Sequence, residues 1–194
     1  MRFALLLPLL LALGCGQKDS SPTGSTPPPT KPDPVVKTWK LHSADALLFK
    51  ANFPNGDPMI RPVFFGNQPK GVVEGWDYSV SVYPQGKGPD AHTFGIRAAR
   101  FRPGAKAADR EEALDILTKL LPPAGWTKSE PKTVTWAGQK ATETTWSEAG
   151  KPAKLIERHF TVDAGVFVGY VRDLGGLPSA EVDKFFEEFQ LVAK

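Results

Sequence analysis

The sequence predicts an α+β fold in which helices flank an antiparallel β-sheet built as a meander. Apolar and polar residues alternate along four successive segments between Val134 and Tyr170, and short turns separate these segments. Two further segments, one before the meander and one at the chain end, carry apolar residues at helical spacing. With 194 residues, 41% of them hydrophobic, the chain has the size of one domain with appendages.

The N-terminus has the three-part layout of a secretory signal. Met1 and Arg2 form a short positive start, and residues 3–13 are almost wholly apolar. Small residues and a polar run follow. A membrane-spanning helix needs about 20 apolar residues. The short apolar segment therefore predicts a leader that is removed.

The single cysteine, Cys15, follows the apolar segment directly, where a signal peptidase would cut. Residues 12–15 resemble the bacterial lipobox, although Ala12 and Leu13 depart from its usual pattern. The resemblance implies a diacylglycerol and an amide-linked acyl group on Cys15, with Gly16 favouring the outer membrane. The alternative is an ordinary secretory signal with an incidental cysteine. One cysteine excludes an intrachain disulfide and any cysteine-cluster metal site.

The predicted domains are a leader at 1–14, a lipidated tether at 15–36 and one globular domain at 37–194. Residues 20–34 contain many prolines but no aromatic or large aliphatic side chain, so they cannot form a core. Prolines favour an extended spacer of about 3.1 Å per residue.

Short strands are predicted first in the globular domain. They cover residues 39–41 and 47–53, and the second ends at the turn of residues 54–58. Alternation then predicts strands through residues 76–82 and 92–101.

A helix follows, with Asp109 and Glu112 as a capping box. Its apolar stripe consists of Ala113, Leu114, Leu117, Leu120 and Leu121. Pro122 and Pro123 end it. The carboxylates of Glu111, Glu112 and Asp115 are interpreted as a solvated helix surface rather than an acid–base pair.

The meander is predicted to have four strands. Val134 and Trp136 mark the first, and the second carries Thr142, Thr144 and Trp146 on one face. On the third strand, one face carries Ile156, Arg158, Phe160 and Val162. A turn at residues 163–165, with Gly165 left-handed, leads to the fourth, where Val166, Val168 and Tyr170 share a face.

The closing helix is predicted from apolar residues spaced at i, i+3, i+4 and i+7, namely Val182, Phe185, Phe186 and Phe189. Ser179 is its expected N-cap. We expect this helix to bury its phenylalanines against the sheet.

Several segments together resemble the PsbP-like and Mog-like domains and related envelope lipoproteins. They are residues 48–54, 138–146, 157–160, 166–171 and 185–191. The resemblance spans most of residues 38–193 and rests on hydrophobic pattern and a few aromatics. It implies an α/β/α sandwich and a non-enzymatic binding or assembly role. It carries over no functional residue, and fold likeness alone is a weak guide to function.

One metal-site hypothesis arises from the histidines. His42, His92 and His159 are far apart in sequence. Glu157 and His159 share one strand face, and Glu143 could lie opposite them on a neighbouring strand. The alternative is a polar sheet face with no ligand.

Two further clusters have both a functional and a structural interpretation. The densest basic run, Arg97, Arg100, Arg102, Lys106 and Arg110, could contact anionic lipid or cell-wall polymer, or could be solvated surface. The tryptophans Trp126, Trp136 and Trp146 could line a groove or could belong to the core. A net charge of +3 is too small to indicate nucleic acid.

Two functions are consistent with these sequence features. The first is a lipid-anchored envelope module that binds an envelope protein or a cell-wall partner, without cofactor or metal. The second is a lipid-anchored hydrolase or metal-dependent enzyme whose site matches no common motif. The sequence contains no GxSxG, HExxH, GxGxxG or P-loop motif and assigns no catalytic residue. It does not indicate the oligomeric state.

Overall fold

An antiparallel β-sheet forms the centre of the computed structural model, which describes residues 35–65, 71–84, 91–119 and 122–192. Cys15, the leader and most of the tether lie outside these residues. Within them, eight strands make the main sheet in the order β3-β4-β5-β10-β9-β8-β6, with β7 also paired to β8. The strands are β3 Met59–Pro62, β4 Val72–Val82, β5 His92–Phe101, β6 Thr127–Lys128, β7 Lys132–Trp136, β8 Gln139–Ser147, β9 Lys154–Val162 and β10 Gly165–Asp173.

A smaller sheet brings the two ends of the described chain together. It has the order β1-β2-β11, with β1 at Trp39–Ala44, β2 at Phe49–Pro54 and β11 at Gln190–Leu191. Gln190 pairs with Lys50 in antiparallel register, which ties the last strand to one of the first.

The two described helices cover opposite faces of the main sheet. Helix α1, Ala107–Lys119, packs through Ala113 and Leu117 against Ala99, Val166 and Val168. Helix α2, Ser179–Glu187, packs with the small sheet against the other face, where the core includes Phe94, Ile96, Phe160 and Phe167. We call these the α1 face and the α2 face. Neighbouring residues of β10 point to opposite faces, so the strand is buried on both sides.

The α2 face is held by a cluster of aromatic rings. Phe49, Phe94, Phe167 and Phe185 are each at most 2% exposed, and Phe49 stacks on Phe189 with ring centroids 5.6 Å apart. Because aromatic pairs add to the stabilisation from buried area, this cluster is the main hydrophobic core.

The predicted α+β class, the antiparallel meander and the burial of the α2 phenylalanines are confirmed. Strand β5 has the predicted bounds, and Glu111, Glu112 and Asp115 are exposed, with Asp115 paired to Lys119. Strand β3 was not predicted, because all four of its residues are exposed and show no alternation.

Both helix starts differ from the prediction. Helix α1 begins at Ala107, and the Asp109 carboxylate accepts a hydrogen bond from the backbone N–H of Lys106 at 3.2 Å. Asp109 is thus the third helical residue, where an acidic side chain reaches back to the N-cap. In α2, Ser179 is the first helical residue, Pro178 takes the N-cap position, and no side chain caps the helix.

Two turns also differ from expectation. Gly165 does not have a positive φ, so the predicted left-handed conformation is wrong. Its lack of a Cβ serves close approach instead, because a Cβ would lie 2.7 Å from the Ala99 carbonyl oxygen. Strand β2 begins at Phe49 rather than at residue 47, because Asp45–Leu47 form a 3₁₀ turn and Leu48 has a φ of 61°.

The first two described residues, ahead of the domain boundary expected at residue 37, already pack against the core. Val36 is 7% exposed and Val35 is partly buried against the same core. The side chain of Asn55 holds this entry segment, since its Oδ1 accepts from the N–H of Lys37 at 2.8 Å and its Nδ2 donates to the Val35 carbonyl at 3.1 Å.

Candidate functional site

A band of polar side chains crosses the α1 face beside the C-terminal end of helix α1. We define this polar band as Asp77, Arg97, Tyr170, Glu157 and His159. Strand pairing aligns them, because Asp77 lies opposite Arg97 and Glu157 opposite Tyr170. Their side chains are mostly buried, with 13% of Arg97 and 4% of Glu157 exposed.

Asp77 is the centre of one half of the band. Its Oδ1 accepts a hydrogen bond from the Tyr170 hydroxyl at 2.8 Å, and its Oδ2 accepts from Arg97 Nε at 3.3 Å. Arg97 also donates to the Leu117 carbonyl at 3.1 Å, near the end of α1. A cation at this end is favoured by the helix dipole. These contacts fasten α1 to the sheet.

Glu157 and His159 form the other half. His159 Nδ1 lies 2.9 Å from Glu157 Oε1, and 19% of the histidine side chain is exposed. The second carboxylate oxygen, Oε2, is buried and has no hydrogen-bond partner among the described residues. The pair orients an imidazole toward the surface, but no nucleophile is hydrogen-bonded to it in the described chain.

The three residues of the metal-site hypothesis do not converge. Strand pairing places Glu143 opposite Arg158, while Glu157 lies opposite Thr144. Directly opposed residues share a sheet face. Glu143 is therefore on the α2 face, where its Oε2 accepts from Arg158 Nε at 2.7 Å. Within the described residues, no group of three or more potential ligands could hold a metal ion.

The basic run is divided between surfaces instead of forming one patch. Arg97 belongs to the α1 face, whereas Arg100 pairs with Glu74 at 2.8 Å on the α2 face. Arg110 pairs with Asp163 at 2.7 Å. Arg102 and Lys106 are exposed. Since strand alternation and ion pairs separate these cations, the run does not act as a single binding patch in the fold.

The three tryptophans of the meander region also separate. Trp136 is 2% exposed, and its indole N–H donates to the Phe186 carbonyl at 2.9 Å, so it belongs to the core. Trp126 and Trp146 are half-buried, with Arg172 and Lys128 over their respective rings at 5.8 and 5.4 Å. They do not form one groove with Trp136.

The histidines contact different parts of the fold. His42 lies among Phe53 and Tyr78, and burial lowers its pKa. His92 is buried with its Nδ1 3.2 Å from Asp173 Oδ1. Asp173 also accepts from the N–H of Gly175 at 2.8 Å, so it organises the loop before α2.

A groove of about 350 Å³ opens where β3 meets β4, next to the polar band. We call it the β3–β4 groove. The lining side chains that matter chemically are Asp57, Met59, Arg61, Ser79, Ser81 and Tyr83. Its size is at the lower end of the range for small-molecule sites. Sequence reasoning missed this groove, because its residues come from segments without a motif and meet only through strand pairing.

No protein-family model matches the chain, and no curated protein matches it. Neither described helix has the length and hydrophobicity needed to cross a membrane.

Tyr170 leads to a testable dependence of stability on pH. Burial above all raises the pKa of Tyr170, and the negative charge of Asp77 adds to this rise while Arg97 opposes it. An unfolded tyrosine ionises near pH 10. The contribution of Tyr170 is thus fully present below about pH 10 and is lost as the pH rises toward the folded-state pKa.

We expect Tyr170→Phe to lower the free energy of unfolding by about 1.5–3 kcal/mol at pH 7, since a hydrogen bond to a charged group is lost. The variant should then lose less stability than the wild type between pH 9 and 11. Urea unfolding at each pH measures both effects, and Tyr83→Phe is the matched control because Tyr83 is 62% exposed. Equal alkaline losses in wild type and Tyr170→Phe would contradict the assignment.

Proposed function

We propose that this protein is a cell-envelope lipoprotein, anchored through lipid on Cys15, whose folded domain binds a partner without catalysis. The observation that carries the proposal is the position of Cys15 between the apolar leader and the proline-rich segment. Val35 and Val36 already pack against the core, and we propose that the residues between Cys15 and Val35, about 20 of them, serve as a spacer between the lipid and the domain.

The chemistry of lipidation supports a durable anchor. Each buried methylene contributes about 0.8 kcal/mol, one acyl chain holds only marginally, and two or more hold stably. A diacylglycerol together with an amide-linked chain on Cys15 would exceed that threshold. The outer membrane is the proposed location, because Gly16 rather than aspartate follows the cysteine.

The interior of the fold favours a binding role over hydrolysis. The enzyme alternative predicted that Glu143, Glu157 and His159, or a similar set, converge in a cleft, but Glu143 lies on the sheet face opposite to that of Glu157 and His159. Both oxygens of Asp77 accept hydrogen bonds that hold Tyr170 and Arg97, so this carboxylate supports the structure. Among the described residues, the set named for the enzyme alternative does not assemble, and we propose the binding role instead.

We also propose that the domain is a PsbP-like or Mog-like α/β/α sandwich. Supporting this is the arrangement of one helix on each face of an antiparallel sheet, with the short strand β2 paired to the chain end. Such an architecture is compatible with an accessory binding or assembly role, which agrees with the proposed function.

The anchor is tested by expressing the full-length chain with Cys15→Ser. We expect the wild type to sediment with membranes and enter the detergent phase, and the variant to be soluble, because the acyl chains are lost. Metabolic labelling with an alkyne fatty acid should mark only the wild type. Ser20→Ala is the matched control and should behave as wild type.

Mass spectrometry of the mature N-terminus gives an independent measurement. A diacylated or triacylated peptide that begins at Cys15 supports the proposal. An unmodified N-terminal peptide, or a wild-type protein that is soluble without detergent, would contradict the anchor and indicate an ordinary secreted domain.

A further inference from the structure

The β3–β4 groove is lined by an arginine, Arg61, that lies opposite a carboxylate already hydrogen-bonded to other side chains. Strand pairing places Arg61 opposite Asp77 on the same sheet face. Both oxygens of Asp77 accept hydrogen bonds, from Tyr170 at 2.8 Å and from Arg97 at 3.3 Å. Within the described residues Arg61 forms no ion pair, and its guanidinium donates to the sulfur of Met59 at 2.7 and 3.0 Å. A thioether is a weak acceptor, so an anion can replace it.

The local charge of the groove also favours an anion. Its lining carboxylate, Asp57, is paired with Lys40 at 2.6 Å. The pair is close to neutral, so among the described lining residues no carboxylate compensates the Arg61 charge. A carboxylate can accept two parallel hydrogen bonds from a guanidinium, and such bidentate pairs are strong for their size. The groove therefore offers a directed site for one carboxylate.

The rest of the lining suits a ligand with both an apolar face and hydroxyl groups. Tyr83 is 62% exposed and lines the groove, so its ring is accessible to a ligand. Ser81 is exposed beside it, and Ser79 lies on the same sheet face two residues earlier. An aromatic face binds weakly polarised C–H groups, and serine hydroxyls can donate to or accept from ligand hydroxyls.

We propose that the β3–β4 groove binds an acidic sugar unit of an envelope polysaccharide. The sugar carboxylate pairs with Arg61, its C–H face stacks on Tyr83, and its hydroxyls bond to Ser81. This proposal rests on the binding role proposed above, but it does not depend on the lipid anchor. A lipid headgroup is a poorer fit, because attraction to anionic lipid takes several clustered cations and the described lining of this groove has one free guanidinium.

The test is a calorimetric titration of the full-length chain, held in a neutral detergent, with trigalacturonic acid. Galactotriose is the matched neutral probe. We expect measurable binding of the acidic trisaccharide and at least tenfold weaker binding of the neutral one. Arg61→Gln and Tyr83→Ser should each weaken binding of the acid by about tenfold, since each removes one recognition element.

The control variant is Arg102→Gln, which removes an exposed arginine from a different loop and should leave the affinity unchanged. Circular dichroism checks that each variant is folded. Equal affinity for the acidic and neutral trisaccharides, or equal losses in Arg102→Gln and Arg61→Gln, would overturn the proposal. So would an absence of binding to trigalacturonic acid, or binding to phosphatidylglycerol vesicles alone.

The outcome is separable from that of the anchor experiment. Cys15→Ser should retain trisaccharide binding even though it leaves the membrane, because Cys15 precedes the predicted globular domain at 37–194. Conversely, if the wild type is membrane-bound but does not bind the trisaccharide, the lipoprotein proposal stands and only the proposed ligand of the groove is wrong.

Discussion

Trp136→Ala is expected to lower the free energy of unfolding by about 3–5 kcal/mol, the range for removing a large aromatic from a core. The indole contacts three rings of the α2 face, with centroids 4.5 Å from Phe189, 5.1 Å from Phe160 and 5.8 Å from Phe186. Its N–H also donates to the Phe186 carbonyl at the C-terminal end of α2. The substitution removes both the packing and this hydrogen bond.

Chemical unfolding monitored by circular dichroism measures the effect. Trp136→Phe should have an intermediate effect, because it keeps an aromatic ring but loses the hydrogen bond to Phe186. Trp126→Ala is the matched control, since Trp126 is half-buried and should cost far less. If Trp136→Ala cost no more than Trp126→Ala, the assignment of Trp136 to the core would be wrong.

Gly95→Val is expected to destabilise the fold by about 3 kcal/mol, at the upper end of the range for overpacking. Gly95 lies directly opposite Tyr170 on β10. A Cβ at this position would overlap the Tyr170 ring near its hydroxyl. The ring would have to move and would lose its hydrogen bond to Asp77, so the polar band would be disrupted as well.

A double-mutant cycle tests this explanation. With Tyr170→Ala in the background, Gly95→Val should cost much less, because the ring that it would strike is gone. Unfolding free energies of the four proteins give the coupling between the two positions. Additive effects would show that Gly95 is needed for another reason, such as contact with a different strand.

The local signals in the sequence predicted much of the secondary structure. The alternation of residues 92–101 gives a strand with those bounds, and the spacing of Val182, Phe185 and Phe186 places them on the buried face of α2. These predictions hold because side-chain periodicity follows directly from strand and helix geometry. Strand β3 has no such signal, since pairing with β4 alone makes it a strand.

The metal-site hypothesis failed on strand register, which local sequence does not specify. Glu157 and His159 do share a face, as their spacing of two requires. Glu143, however, pairs with Arg158. It therefore lies on the face opposite to that of Glu157 and His159, whereas the hypothesis needed it on the same face. A shift of one residue moves a side chain to the other sheet face, and the long turn between β8 and β9 sets that register.

The β3–β4 groove could not be predicted for a related reason. Arg61 and Tyr83 are 22 positions apart in the sequence and belong to no shared motif. Their common surface depends on the pairing of β3 with β4, which brings the two segments to the same groove.

The sequence by itself determined the α+β class, the antiparallel meander and the apolar face of α2, because these depend on neighbours a few residues apart. For the predicted stripe of α1 the structure shows Ala113 and Leu117 buried, while Leu120 and Leu121 lie outside the described residues. The proposed lipid attachment at Cys15 also rests on the sequence alone, because it depends on the linear order of leader, cysteine and spacer. Only the tertiary structure decided which polar and charged side chains contact one another. These contacts join residues up to 93 positions apart, as in the hydrogen bond between Tyr170 and Asp77. They follow from sheet register and burial rather than from any local pattern.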